Sequence, residues 1–291
     1  IEAVRYVLNQ EFLTQGPAVG AFEAGLKNST AARYVSAVSS ATAALHLAYK
    51  GLGLTENEAV WTSPITFVST ANAARLCGAS VDLVDIDVKT GNMCPQKLAD
   101  KLKLSDKDGK LPKLVVPVHL GGASCDMEAI RDACNRYEVE VVEDASHALG
   151  GSYQSEPVGS CKFSAAAVFS FHPVKMITTG EGGAIVTNKK KIRNKLYEFK
   201  NHGRKKKGTF VHDSIGYNFM FTDLQAAIGI AQLKKLKNFS KKPCFFLILF
   251  KNSISLGLQP SVIFFAFINK SSSLLKYFST YSAFIILLIE I

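Results

Sequence analysis

The chain has 291 residues, 47% hydrophobic and 20% charged, which excludes a disordered protein and suffices for one large domain or two. Its net charge of +10 invites a nucleic-acid partner, yet up to Lys237 only 29 Lys and Arg stand against 23 Asp and Glu. The basic clusters there, Lys189–Lys191 and Arg204 with Lys205–Lys207, are short and not interleaved with aromatics, so they read as solvated surface or as help for an anionic small molecule.

In chain order the elements alternate. Tyr34–Val38 predicts a short strand, and "ATAALHLAYKGLGL" a helix ending at glycine. "AVWTSP" is a strand closed by proline, and "TFVSTANAARLCG" a helix with Gly78 just past its end. Then come "VDLVDID", "KLVVPVHLGG", a helix from about Met127 to Tyr137, and "VEVVEDASHALG". "AAAVFSF" and "GAIVTN" read as buried strands joined by "HPVKMITTGEGG". Such alternation predicts an α/β domain with a sheet buried on both faces, and no internal repeat interrupts it.

The last part reads differently. From Asn238 to Ile291 there is one acid, Glu290, in 54 residues, and the text runs "CFFLILFKNSISLGLQPSVIFFAFINK". No helical or strand period survives there, and no 18-residue apolar run lacks a charge, so a membrane helix is not expected. The chain therefore divides into 1–237 and an anomalous hydrophobic tail, 238–291, that reads as a translated frameshift or intron, with a hydrophobic anchor as the alternative. Sequencing the transcript across the codons for Leu236 to Ser240 tests this, and a continuous conventional frame overturns it. A start at Ile1 rather than Met suggests a natural N-terminus further upstream. The cysteines Cys77, Cys94, Cys125, Cys134, Cys161 and Cys244 show no CxxC pair and no metal-type spacing. With no signal peptide at the start, free thiols in a cytoplasmic protein are expected.

In open α/β sheets ligands collect beyond the carboxyl ends of the strands. After Tyr34–Val38 come Ser39, Ser40 and Thr42 at the mouth of a helix, where hydroxyls and free amides suit a phosphate, or merely cap the helix. After "VEVV" come Glu143, Asp144 and His147; a carboxylate there can hold a protonated ring nitrogen, or make a structural salt bridge. The "HPVKMITTGEGG" segment adds Lys175, with Ser170 five residues before it and Gly180, Gly182 and Gly183 letting the backbone turn beside a bound group. A lysine beside glycines also fits a plain hairpin loop. Three strand ends offering phosphate donors, a carboxylate and a lysine together describe a pyridoxal phosphate pocket: aldehyde at Lys175, ring nitrogen at Asp144, phosphate at the Ser and Thr groups.

From about Glu11 to Lys237 the chain resembles the sugar aminotransferases of the DegT/DnrJ/EryC1/StrS family. The resemblance is carried by "FLTQGPAVGAFE", "SSATAALHLA", "SPITFVSTANAA", "VPVHLGGASCDM", "VVEDASHALGG", "FSFHPVKMITTGEGGAIVTN" and "GYNFMFTDLQAAIG". It implies a fold-type I pyridoxal phosphate-dependent transferase: a mixed, mostly parallel sheet with helices on both faces, working as a cytoplasmic homodimer. It implies Lys175 as the catalytic, cofactor-linking lysine and Asp144 as the carboxylate on the pyridine nitrogen. Ser170 and Thr42, with the amide of Ala41 or Thr42, match phosphate contacts; Phe67 matches the aromatic that stacks on the ring, and His147 a cofactor-proximal position. The family's dehydratase branch carries histidine where Lys175 stands, so transamination is implied. The "SFHPVK" and "TTGEGGA" runs are most similar to the pseudaminic-acid branch, which aminates UDP-2-acetamido-2,6-dideoxy-β-L-arabino-hexos-4-ulose with L-glutamate. A different 3- or 4-keto nucleotide sugar, or a truncated member without turnover, are the alternatives. Two departures stand out: Met220 replaces a usually polar residue that reaches the neighbouring subunit's cofactor phosphate, and the tail replaces the family's small C-terminal domain.

Overall fold

A computed structural model describes residues 1–206, 208 and 210–239; the proposed tail beyond Phe239, with Cys244, lies outside the described residues. Its frame is a seven-stranded sheet. The strands are β1 (Tyr34–Val38), β2 (Ala59–Thr62), β3 (Ser80–Leu83), β4 (Leu114–Val116) and β5 (Glu140–Asp144), then β8 (Ala166–Ser170) and β9 (Gly183–Thr187), with a small hairpin of β6 (Ser152–Tyr153) and β7 (Glu156–Pro157) between them. The order across the sheet is β1-β9-β8-β5-β4-β2-β3. All neighbours from β8 to β3 run parallel, and only β9, against β8 and β1, runs antiparallel. This is the mixed, mostly parallel sheet expected.

The helices are α1 (Glu2–Leu8), α2 (Pro17–Thr30), α3 (Ala41–Gly51), α4 (Ser69–Arg75), α5 (Pro95–Lys107), α6 (Met127–Asn135), α7 (Lys190–Lys200), α8 (Asp223–Leu233) and the short α9 (Leu236–Phe239). They cover both faces of the sheet, and strand alternation decides which residue meets which helix. Val38, Val142, Val168 and Ile185 share one face with Leu47 and Ala48 of α3 and Ala73 of α4. Ala37, Ala167, Phe169, Ala184 and Val186 face the other way, onto Phe22 and Leu26 of α2 and Ala226 of α8. Further along, Val115 and Val141 meet Leu98 of α5 and Ile130 of α6. Burial on both sides is why β8 and β9 read as unbroken apolar runs; every residue in them is buried.

α8 ties the chain's early and late parts together. The Asp223 carboxylate accepts from the amides of Gly16 (2.7 Å), Ala18 (2.8 Å) and Val19 (3.4 Å), so it caps α2 from more than 200 residues away. Gly16 is required because a Cβ there would lie 2.9 Å from the Asp223 carboxylate and 2.7 Å from the Phe12 Cβ. Thr222 and Gln225 form a reciprocal capping box, and the Gln225 amide reaches on to the Glu181 carbonyl (2.7 Å) in the segment between β8 and β9. Phe22 stacks on Phe221 at 5.4 Å and meets Phe171 edge-on at 5.2 Å, continuing that support beneath the same segment.

The bounds of four elements differ from expectation. α4 starts at Ser69, leaving Thr66 to Val68 as its lead-in loop, and the predicted Met127–Tyr137 helix ends at Asn135. The strands in "VDLVDID" and "KLVVPVHLGG" are short, because β3 and β4 give way to loops as soon as they leave the sheet. Gly78 lies past α4 as predicted, with φ +83, against the Glu56 side chain.

Candidate active site

The site forms where β1, β8 and β5 end and the antiparallel β9 begins. Sheet register places Val38 beside Gly183 and Gly183 beside Ser170, while Asp144 pairs with Val168, two residues short of Ser170. Three candidates widely separated in sequence thus meet in one row: the α3 mouth after Val38, Ser170 on β8 and Asp144 on β5. Gly183 permits the closest approach, since a Cβ there would stand 2.5 Å from the Ser40 carbonyl and 2.6 Å from the Ala41 amide nitrogen. Of the three glycines expected to border a bound group, only Gly180 is open, and its φ of +80 turns the chain. Gly182 and Gly183 are instead packed against the protein's own Phe221 ring and α3 mouth, which corrects that reading.

At the α3 mouth the Ser40 hydroxyl accepts from the Ala43 amide (3.1 Å), so Ser40 is the helix cap. Thr42 turns to Ser69 on α4, hydroxyl to hydroxyl at 2.7 Å, joining the first turns of two helices. Ser170 is buried and accepts a long bond from the His172 amide (3.4 Å). Phe67 stands on the loop between β2 and α4 and is 46% exposed, an aromatic face with room for a flat partner.

Period-two alternation separates the adjacent acids of β5. Glu143 points to the sheet's far face, where it accepts from buried His119 at 2.8 Å and from the Ser164 hydroxyl at 2.5 Å. The Cys125 amide donates to His119 Nδ1 (3.2 Å), leaving Nε2 to carry the proton toward Glu143. The structural pairing that the sequence allowed for Asp144 thus falls to its neighbour. Asp144 points toward α4, accepting from Thr70 Oγ1 at 2.7 Å and from the Ser146 hydroxyl at 2.6 Å. Thr70 and Ser146 were not among the residues singled out from sequence. The i+2 spacing of Ser146 is a local signal that would have found it, but Thr70 has none.

Lys175 sits in the loop after β8, its amide bonded to the His172 carbonyl (2.9 Å) and its Nζ 2.6 Å from His147 Nε2. Burial lowers the Lys175 pKa, opposed by the charge of Asp144. Burial, and then the positive charge of Lys175, push His147 down to about 4, again opposed by Asp144. The imidazole is therefore neutral, with the Nε2 lone pair facing the amine. A lysine so placed has two features that a surface hairpin lysine lacks: a desolvated amine and a neutral acceptor at its tip. The observed chemistry fits a pyridoxal phosphate pocket, with an amine, a fixed carboxylate, and hydroxyls with helix-mouth amides arranged along one row of strand ends.

Met220 is half-buried beside Asn218, whose backbone bridges to Asn201. Among the described residues no group of three or more His, Cys, Asp or Glu could hold a metal ion, and no helix is long and apolar enough to cross a membrane. The thiols of Cys77, Cys94, Cys125, Cys134 and Cys161 are free.

This sheet, with its antiparallel β9 and a lysine loop between β8 and β9, is the large-domain architecture of the fold-type I pyridoxal phosphate-dependent transferases. The chain belongs to the DegT/DnrJ/EryC1/StrS aminotransferase family, whose model matches residues 1–252. It is 41% identical over 238 residues to a UDP-4-amino-4,6-dideoxy-N-acetyl-β-L-altrosamine transaminase of Campylobacter jejuni subsp. jejuni serotype O:23/36, a match covering 81% of this chain and 61% of that one. It is 37% identical over 252 residues to the spore coat polysaccharide biosynthesis protein SpsC of Bacillus subtilis, covering 83% of this chain and 63% of that protein. Helicobacter pylori PseC, an aminotransferase of pseudaminic acid biosynthesis, superimposes with a TM-score of 0.75 at 35% identity, covering 81% of this chain and 62% of that one. The chain thus spans about three fifths of the length of these relatives.

Proposed function

We propose that residues 1–237 form the cofactor-binding large domain of a pyridoxal phosphate-dependent aminotransferase that acts on a nucleotide-linked 4-keto-6-deoxy sugar with L-glutamate as amino donor. UDP-2-acetamido-2,6-dideoxy-β-L-arabino-hexos-4-ulose is the substrate best supported, through the likeness to the Campylobacter and Helicobacter proteins. The observation that carries the reading is the half-buried Lys175 amine, 2.6 Å from a neutral His147 and within reach of the charge of Asp144.

In this reading Lys175 and Asp144 hold the two ends of the cofactor's reactive ring, and Ser170, Thr42 and the Ala41 or Thr42 amide hold its phosphate. When bound, the cofactor supplies an electron sink for carbanion chemistry next to nitrogen. Lys175 moves the proton at Nζ, and burial, by lowering its pKa, favours the free amine that this task needs. His147, neutral and within hydrogen-bond reach, orients that amine and receives its N–H at Nε2. Asp144 keeps a facing ring nitrogen protonated by offering it a fixed negative charge in a low-dielectric setting. Phe67 stacks against the flat face. Val174 beside Lys175 is 47% exposed, and it and Phe67 are apolar side chains that a second copy in a homodimer would cover.

The test is the absorbance of the purified chain mixed with pyridoxal phosphate, beside Lys175→Ala. A yellow complex that borohydride fixes onto the Lys175 peptide, and that the substitution abolishes, supports the reading. Equal spectra from both proteins overturn it. Bleaching by glutamate then separates a working half-reaction from the second reading, a chain that builds the pocket without turnover.

A further inference from the structure

We propose that Thr70 is a positioning residue for Asp144, with Thr66 behind it and Ser146 on the opposite carboxylate oxygen. The inference rests on the reading of Asp144 as the partner of a protonated ring nitrogen. Thr70 is fully buried on α4, and its Oγ1 donates to Asp144 Oδ2 at 2.7 Å. Thr66, buried in the lead-in loop, lies with its Oγ1 2.8 Å from Thr70 Oγ1. A hydroxyl has one proton. Because Thr70 spends its own on the carboxylate, the 2.8 Å bond between the two threonines carries the proton of Thr66, for which the Phe67 carbonyl at 3.3 Å is the weaker, competing acceptor. Thr66 thus donates to Thr70, and Thr70 donates to Asp144.

Such a chain strengthens its last bond, since each donor is polarised by the one behind it. On the other side the Ser146 amide (3.2 Å) and hydroxyl (2.6 Å) both donate to Oδ1. Each carboxylate oxygen is thus pinned separately, which fixes the plane of the carboxylate and leaves its remaining lone pairs in set directions. The Thr70 carbonyl in turn accepts from the Tyr49 hydroxyl of α3 at 3.1 Å, anchoring that turn of α4. The titratable groups whose charge meets Asp144 are Lys175, His147 and Tyr49; Glu143 is turned to the far face with His119. Removing the Thr70 donor releases Oδ2, so the carboxylate is no longer held in one plane and is less able to hold a ring N–H.

The decisive measurement uses the chain without cofactor, carrying 13Cγ-labelled aspartate, with the Asp144 resonance assigned through Asp144→Asn. Thr70→Val keeps the side-chain shape and removes the donor, while Thr70→Ser restores it. Thr70→Val should displace the Asp144 13Cγ resonance at fixed pH, and Thr70→Ser should leave it in place. Pyridoxal phosphate affinity should follow, about tenfold weaker for the valine variant and near wild type for serine. An unmoved resonance in Thr70→Val overturns the proposal. If the wild-type chain takes no cofactor at Lys175, the functional reading fails while the resonance still decides the role of Thr70. Should Thr70→Val not fold, Thr66→Val removes the outer donor, and a displacement of the same resonance is required of it.

Discussion

The contact between Lys175 and His147 makes a pH-dependent stability prediction that His147→Gln isolates. In the unfolded chain the imidazole titrates near 6.5, and in the folded protein burial and the Lys175 charge bring it to about 4. Above about pH 6.5 both states are neutral and the group contributes no slope. Between 6.5 and 4 the unfolded chain takes up a proton that the folded chain refuses, so stability falls as the pH drops. The gap corresponds to about 3 kcal/mol in full, most of which has gone by about pH 4.5. Glutamine has similar size, does not titrate and still offers an acceptor to Lys175. Urea unfolding followed by circular dichroism, at about pH 7.5 and 4.5 in both proteins, cancels the carboxylates that titrate in common. Wild type should lose about 2–3 kcal/mol more than His147→Gln over that interval. Equal losses would show that the folded protein does not hold His147 neutral, and the electrostatic account of the lysine would fall with it.

Asp223→Ala should cost about 3–5 kcal/mol, because it strips the α2 N-terminus of a buried carboxylate taking three amide protons. Urea midpoints measure it, and a loss below about 1 kcal/mol would mean that water replaces the cap at no cost. Gly183→Ala should cost at least about 2 kcal/mol, since its Cβ meets rigid backbone at 2.5 Å, whereas Gly180→Ala, in open space with φ +80, should cost only about 1 kcal/mol. Equal effects in thermal melts would refute the packing argument for Gly183.

Much of this protein is written locally. The apolar runs of β5, β8 and β9 mark strands because both faces are buried, and the polar residues that end them mark where a ligand belongs. Lys175, Asp144, Ser170 and the α3 mouth were legible as strand-end chemistry, and ordered motifs along the chain made the family legible too. Glycines were legible as turns, yet their tasks were not: Gly182 and Gly183 serve protein packing, which depends on Phe221 and Ser40 arriving from elsewhere.

Strand order settled the remainder. Because β9 inserts between β8 and β1, Ser170 and the α3 mouth become neighbours although about 130 residues separate them in sequence. Which polar group meets which is a property of that arrangement. Thr70 reaches Asp144 across 74 residues, His119 claims Glu143, and Asp223 caps a helix near the other end of the described chain. Periodicity and capping signals extend over a few residues, so the sequence by itself determined the elements, the family and the candidate site residues. The partners that orient those side chains, and the burial that lowers the Lys175 and His147 pKa values, exist only once the sheet has brought distant segments together out of water.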